Sequence, residues 1–178
     1  MRNLLSIVLI SVLTISTAFA PAYDSQKVDT NAKIKAVYIY NFTKYIEWPS
    51  DSKSGEFTIG ILGDNDALYT ELDKMSKVKK VSNQSFAIKK IESINDVKNP
   101  HILYIPNASS TELNQAVSKL RGKSTLIVTE KPGLAKQGSA INFIFEGNKQ
   151  KFELNKSIAE SHNLKVASTL EKLAVLIN

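Results

Sequence analysis

The stretch FTIGILGDNDALYTELDKM, Phe57 to Met75, changes its hydrophobic period halfway along. FTIGILG, Phe57 to Gly63, is a short β-branched run with the composition of a strand, and Gly63-Asp64-Asn65 supplies turn chemistry. Beyond the turn, Ala67, Leu68, Leu72 and Met75 recur at helical spacing. Strand, glycine turn and helix make the first half of a βαβ unit. A chain that repeats the unit builds a parallel sheet covered by helices.

The downstream sequence repeats it. SFAIKKI (Ser85 to Ile91) reads as a second strand, and HILYIP (His101 to Pro106) as a third, apolar enough to be buried on both faces. Ser109 or Ser110 can cap a helix through Leu113, Ala116, Val117 and Leu120, which Arg121-Gly122 ends. STLIVTE, Ser124 to Glu130, is a fourth strand. The last third changes character: AINFIFE (Ala140 to Glu146) and KQKFELN (Lys149 to Asn155) alternate on either side of Gly147-Asn148, a hairpin by turn chemistry. Asn155 then caps a short helix through Ile158, Ala159 and His162, closed by Asn163. Ser168 to Ile177 presents Leu170, Leu173, Ala174 and Ile177 as a final amphipathic helix. The expected fold is α/β: a single domain with a mainly parallel β-sheet flanked by helices and an antiparallel hairpin near the C-terminus.

Upstream, YIYNFTKYIEWP (Tyr38 to Pro49) concentrates aromatic residues. Ile34, Tyr38, Phe42 and Tyr45 share one helical stripe reaching toward Trp48, with Asp29 or Thr30 as cap and Pro49 as stop. That stripe is expected to wedge the helix against the sheet. Trp48, at the broken end, remains the one aromatic placed to meet a partner.

The first twenty residues have a basic start at Arg2, an apolar run from Leu4 to Ile15 and the small-x-small site Ala18-Phe19-Ala20. They read as a signal peptide cleaved after Ala20, residues 21–30 as a flexible leader, and 31–178 as the domain. No later segment is apolar enough to insert directly into a membrane. The chain has no cysteine, so an exported fold must be held by packing alone. Net charge is +6, or +5 without Arg2, and after Ala20 the only arginine is Arg121. Nucleic-acid binding would call for an arginine-rich patch with stacking aromatics, which is missing.

Catalytic chemistry finds little support. Gly60-Ile61-Leu62-Gly63 lacks phosphate-loop spacing, and Asp64 and Asp66 are better read as helix-capping acids. His101 and His162 are the two histidines, without metal-binding spacing. Ser161 and His162 are adjacent on a helix and point about 100 degrees apart, so they do not form a nucleophile and base. Glu146 and Glu153 flank the hairpin and could face each other, but Lys149, Lys151 and Lys156 make cross-strand ion pairs the simpler reading. No catalytic, cofactor-binding or metal residue is assigned. A small ligand would find its place at the carboxyl ends of the parallel strands, near Gly63, Asp64, Pro106 and Asn107.

KAVYIYNFTKYIEWP, FTIGILGD, HILYIP, TLIVTE, GSAINFIFEGNKQKFELN and LKVASTLEKLA occur in an order and spacing that resemble the YfiR family of exported bacterial regulators, from about Lys33 to Ala174. The resemblance implies a periplasmic, non-enzymatic α/β protein without cofactor. It further implies a homodimer that binds the exported sensor domain of an inner-membrane diguanylate cyclase or histidine kinase and represses it. Two departures stand out: family members commonly carry cysteine pairs, and here His101 stands where a cysteine often precedes the third strand; Gly138-Ser139 replaces a more usual pair of glycines. A redox switch is therefore excluded. The expected contact surface is the hairpin and the helix after it, through Phe143, Glu146, Lys151, Glu153 and His162, with Trp48.

Overall fold

In the computed structural model, which describes residues 29–177, the Asp29 carboxylate accepts from the backbone N–H of Asn31 (3.0 Å) and Ala32 (3.1 Å). This cap, of a kind worth about 1 kcal/mol, starts helix α1, Thr30–Tyr45. The expected signal peptide and the leader through Val28 lie outside the described residues. Strand β1, Ile46–Glu47, follows directly. The opening βα unit is then β2, Phe57–Leu62, and α2, Asp66–Ser76. Asn65 rather than Asp64 or Asp66 caps α2, its Oδ1 accepting from Leu68 N at 3.1 Å.

Three more parallel strands follow: β3 (Phe86–Ile91), β4 (Ile102–Ile105) and β5 (Leu126–Thr129), with α3 (Leu113–Lys119) between the last two. The hairpin is β6 (Ile141–Glu146) and β7 (Lys149–Leu154). Helix α4 (Lys156–Ser161), strand β8 (Lys165–Val166), helix α5 (Ser168–Leu173) and strand β9 (Val175–Leu176) complete the chain. Seven strands form one sheet in the order β3-β2-β4-β5-β6-β7-β9, parallel as far as β6. β7 returns antiparallel to β6, and β9 runs parallel to β7; β1 and β8 form a separate antiparallel ribbon. The chain therefore has the expected α/β class and single-domain organisation.

Alternation along the central strands divides the core. Ile59, Ile61, Ile102, Tyr104, Leu126 and Val128 face the layer containing α1, α2 and α4. Leu62, Leu103, Ile105 and Ile127 face α3 and the 3₁₀ turns at Ile94–Asp96 and Leu134–Gln137. Strands buried on both faces explain why HILYIP and TLIVTE read as continuous apolar runs. The two edges differ: β3 carries exposed Lys89 and Lys90, whereas β9 exposes Val175 and Leu176.

Three expectations change. Helix α1 buries Ala32, Ala36, Ile39 and Phe42, while Ile34 is exposed and Tyr38 and Tyr45 are half-buried. The alanines let the helix backbone sit close to the sheet, so the seam follows small residues instead of the aromatic stripe. The helix also stops at Tyr45, because the chain extends to pair Ile46 with Val166 and Glu47 with Lys165. At the other end, the final helix stops at Leu173; Ala174 is extended, and the open side of β7 captures Val175 and Leu176 as β9.

Gly147 opens the two-residue hairpin turn with φ +57°, the positive value required at the first central position of a II′ turn. Ser139, at 0 % exposure, is satisfied in the core: its hydroxyl donates to Ile141 O (2.6 Å), and Thr129 Oγ1 lies 2.9 Å away. The departure from a glycine pair at 138-139 thus places a hydrogen-bonded hydroxyl where a bare backbone would otherwise sit.

Candidate functional site

The residues expected to meet a partner do not gather on one surface. Trp48 is 5 % exposed, packed edge-on against Phe57 at 4.9 Å, and its Nε1 donates to Ser124 O at 3.0 Å. Leaving the helix at Tyr45 turns the indole inward, so Trp48 is scaffold and does not face a partner. His162 is buried beside Lys123, whose carbonyl lies 3.0 Å from Nδ1 and accepts from the ring. Ser161 Oγ donates to Ile158 O at 2.7 Å, away from any role with His162. Phe143 is buried against Tyr38 and Phe42. These burials remove Trp48, Phe143 and His162 as direct contact residues.

What remains accessible lies on the hairpin. β5 pairs with β6 only at Ile141 and Asn142, so Phe143 to Glu146 run on past the parallel core and carry β7 with them. Lys151 forms an ion pair with Glu146. Glu146 stands opposite Lys149 and Glu153 opposite Asn142, whose Nδ2 donates to Glu153 Oε2 at 2.8 Å. The two glutamates therefore do not confront each other. Phe145, near the end of this arm, is 56 % exposed. Phe145 falls in phase with Ile141 and Phe143, but the six residues of β6 outrun the four of β5, so its ring lies past the parallel core.

The base of the arm borders a cleft of 450 Å³ between α1, the residues after β5 and the hairpin. In its wall, Lys35 pairs with Glu130, each side chain only 15 % exposed. Glu130 also accepts from Asn107 N at 2.9 Å. Burial pushes the Glu130 pKa up, but Lys35, the neighbouring Tyr104 hydroxyl and the Asn107 N–H outweigh it and hold the carboxyl below its ordinary range. The Tyr104 hydroxyl lies beside Glu130 without a partner in hydrogen-bonding geometry, and burial raises its pKa so that it stays neutral.

The expected ligand crevice is differently furnished. Gly63 has φ +70°, and a Cβ there would come within 2.5 Å of Ser109 Oγ, so the turn after β4 is seated directly on Gly63. Asp64 is exposed, Pro106 is buried, and the Asn107 backbone is engaged by Glu130. Ser109 thus fills the space between the ends of β2 and β4. Among the described residues no cluster of three His, Asp or Glu side chains suits a metal ion, and no helix is long and apolar enough to cross a membrane.

At the opposite end of the strands, His101 is a structural neutral imidazole. Its Nδ1 accepts from Thr58 N at 3.0 Å, its Nε2–H donates to Ser52 O at 2.9 Å, and its ring stacks on Phe57 at 4.3 Å. A proton on Nδ1 would face the Thr58 N–H. Burial lowers the His101 pKa below the ordinary 6.5, only partly opposed by the Ser52 carbonyl. The unfolded chain therefore takes up this proton first, and stability present above about pH 6.5 is lost as the pH falls from there through the lower pKa of the folded state. Melting temperature should decline as the pH falls below about 6.5, and His101→Gln should flatten that decline.

A family model described as YfiR/HmsC-like matches residues 32–175. The chain belongs to the YfiR/HmsC-like family. The match runs from α1 through the hairpin arm and ends at Val175, the first residue of β9. Membership brings a regulatory rather than catalytic context, tied to cyclic di-GMP signalling and the periplasm. No curated protein matches the chain.

Proposed function

We propose that this protein is a non-enzymatic periplasmic regulator, exported by a cleaved signal peptide, which binds the exported sensor domain of an inner-membrane diguanylate cyclase or histidine kinase and represses it. Family membership supports the signalling context. The observation that carries the contact surface is the hairpin arm, which projects beyond the parallel core with an exposed aromatic, Phe145, beside the Glu146–Lys151 ion pair. An ordered arm with an exposed aromatic beside charged residues has the anatomy of a recognition patch. Repression follows by population shift: the regulator lowers the partner's active fraction by no more than its differential affinity for the inactive state. We also take the chain to act as a homodimer, a reading supported by the exposed apolar residues of β9.

Deleting the gene should raise cyclic di-GMP or the kinase's output, and the partner should co-purify with the regulator from envelope extracts. Phe145→Asp should weaken capture about thirtyfold, the loss of a 2 kcal/mol hot-spot aromatic, with an unchanged melting temperature because the ring is already in solvent. Unchanged signalling after deletion, with no membrane partner recovered, would sink the proposal.

A further inference from the structure

We infer that a cluster of lysines at the amino end of the sheet is a docking surface for an anionic phospholipid membrane, which it meets peripherally. Lys44 of α1 and Lys79 and Lys80 of the segment between α2 and β3 converge on Tyr40. The Lys44 and Lys79 ammonium groups lie 4.8 Å and 5.5 Å from the centre of its ring, and its hydroxyl donates to the Lys80 carbonyl at 3.1 Å. All three lysines are exposed, and none has an acidic partner among the described residues. Lys74 and Lys77 beside them are paired with Glu71 and Asp73. The three cations around Tyr40 are thus uncompensated, and only the fold brings Lys44 to the other two.

The same segment holds an apolar residue out into solvent. Met75 O accepts from the N–H groups of Val78 (3.1 Å) and Lys79 (2.9 Å), and Val81 is buried in the core. Between these anchors Val78 is 80 % exposed, the most exposed of the large hydrophobic residues described. Lys77-Val78-Lys79-Lys80 therefore displays one apolar tip among cations on a support that is already folded. Solubility alone is served by the lysines and opposed by the valine. A surface that is both anionic and apolar just beneath its charge uses both.

A lysine ammonium is a compact point charge, without the fork by which arginine grips a single carboxylate or phosphate. Several of them spread over a surface match the diffuse negative field of lipid headgroups, and an apolar tip beside them enters the headgroup layer. A soluble acidic polypeptide satisfies the charges but gains nothing from Val78. The placement also fixes an orientation. Tyr40 lies 6.0 Å from Phe86, the first residue of β3, which stands opposite Phe57 at the start of β2. The patch is therefore at the amino end of the parallel strands, whereas the hairpin arm runs out past their carboxyl end. A molecule resting on lipid through the patch holds the arm away from the bilayer. The contact requires neither the partner nor the repression proposed above.

Vesicles of phosphatidylglycerol and phosphatidylethanolamine are the probe, with phosphatidylcholine vesicles as the neutral control. The purified protein should sediment with the anionic vesicles at low salt and not with the neutral ones, and the association should be lost as salt rises. Lys79→Gln combined with Lys80→Gln should reduce partitioning about 25-fold, at about fivefold for each charge. Lys131→Gln combined with Lys136→Gln removes the same charge from exposed positions beyond β5 and should change it less than about twofold. Val78→Trp, at a position that the fold leaves in solvent, should show emission shifted to the blue on anionic vesicles, against the constant signal of buried Trp48. No association with anionic vesicles, equal association with neutral ones, or a folded Lys79 and Lys80 double variant that binds like the parent would each overturn the assignment. So would unshifted emission from vesicle-bound Val78→Trp, or tighter binding to polyglutamate than to lipid.

Discussion

Replacing Phe42 by alanine is expected to remove about 3–5 kcal/mol of folding free energy, measurable as a lowered urea midpoint with an unchanged slope. Phe42 has no exposed surface and is the point at which α1 meets the hairpin. Its ring lies 5.2 Å from Phe152 and 6.0 Å from Phe143, with Tyr38 at 6.2 Å on the same helix. Truncation loses the transfer free energy of the ring and leaves a cavity whose walls are other aromatic rings, held by both helix and strand and poorly placed to collapse. Val37→Ala, one residue type on the exposed side of the same helix, serves as the contrast and should change stability by less than about 0.5 kcal/mol. A loss at Phe42 as small as that would mean that α1 is not anchored through this ring.

Lys35→Met is the second substitution expected to cost much, about 3 kcal/mol or more at neutral pH. The methionine keeps the length of the side chain, but Glu130 is left as a largely buried carboxylate with the Asn107 N–H and Tyr104 for company. The sign of the pH response then reverses. In the parent, the Glu130 pKa lies below 4.5, so its stabilisation is present at neutral pH and lost as the pH falls through the carboxylate range. In the variant, burial acts unopposed by the ammonium and raises the pKa, so mild acid neutralises the orphan and the deficit relative to the parent shrinks. Adding Glu130→Gln to Lys35→Met should restore most of the loss. A double-mutant cycle with no coupling between 35 and 130 would refute the ion pair's role.

The parts of the fold legible in the sequence were those fixed by short-range chemistry. Gly63-Asp64-Asn65 marks the break between β2 and α2, and Gly147-Asn148 marks the hairpin, because both turns require backbone conformations that few residues supply. The parts that were not legible depend on distant neighbours. Two-residue strands such as β1 and β8 carry no period, and β9 exists only because β7 has a free side. Aromatic residues on α1 outweighed Ala32 and Ala36 in the reading, although the small side chains decide which face approaches the sheet. Lys35 and Glu130 are 95 residues apart, a separation across which no local pattern predicts a pair.

The unequal edges of the sheet set a rule for growth. Along β3, lysines at 89 and 90 surround the open backbone groups with charge and deter another strand, while at β9 the outermost side chains are Val175 and Leu176. A sheet with two adhesive rims could propagate into a fibre; one with a single adhesive rim cannot. A second copy meeting β9 edge to edge about a two-fold axis would cover the apolar rim of this sheet on both molecules and leave lysine-guarded borders at its two outer margins. Growth of this sheet by strand addition would then stop at two chains, whatever the local concentration.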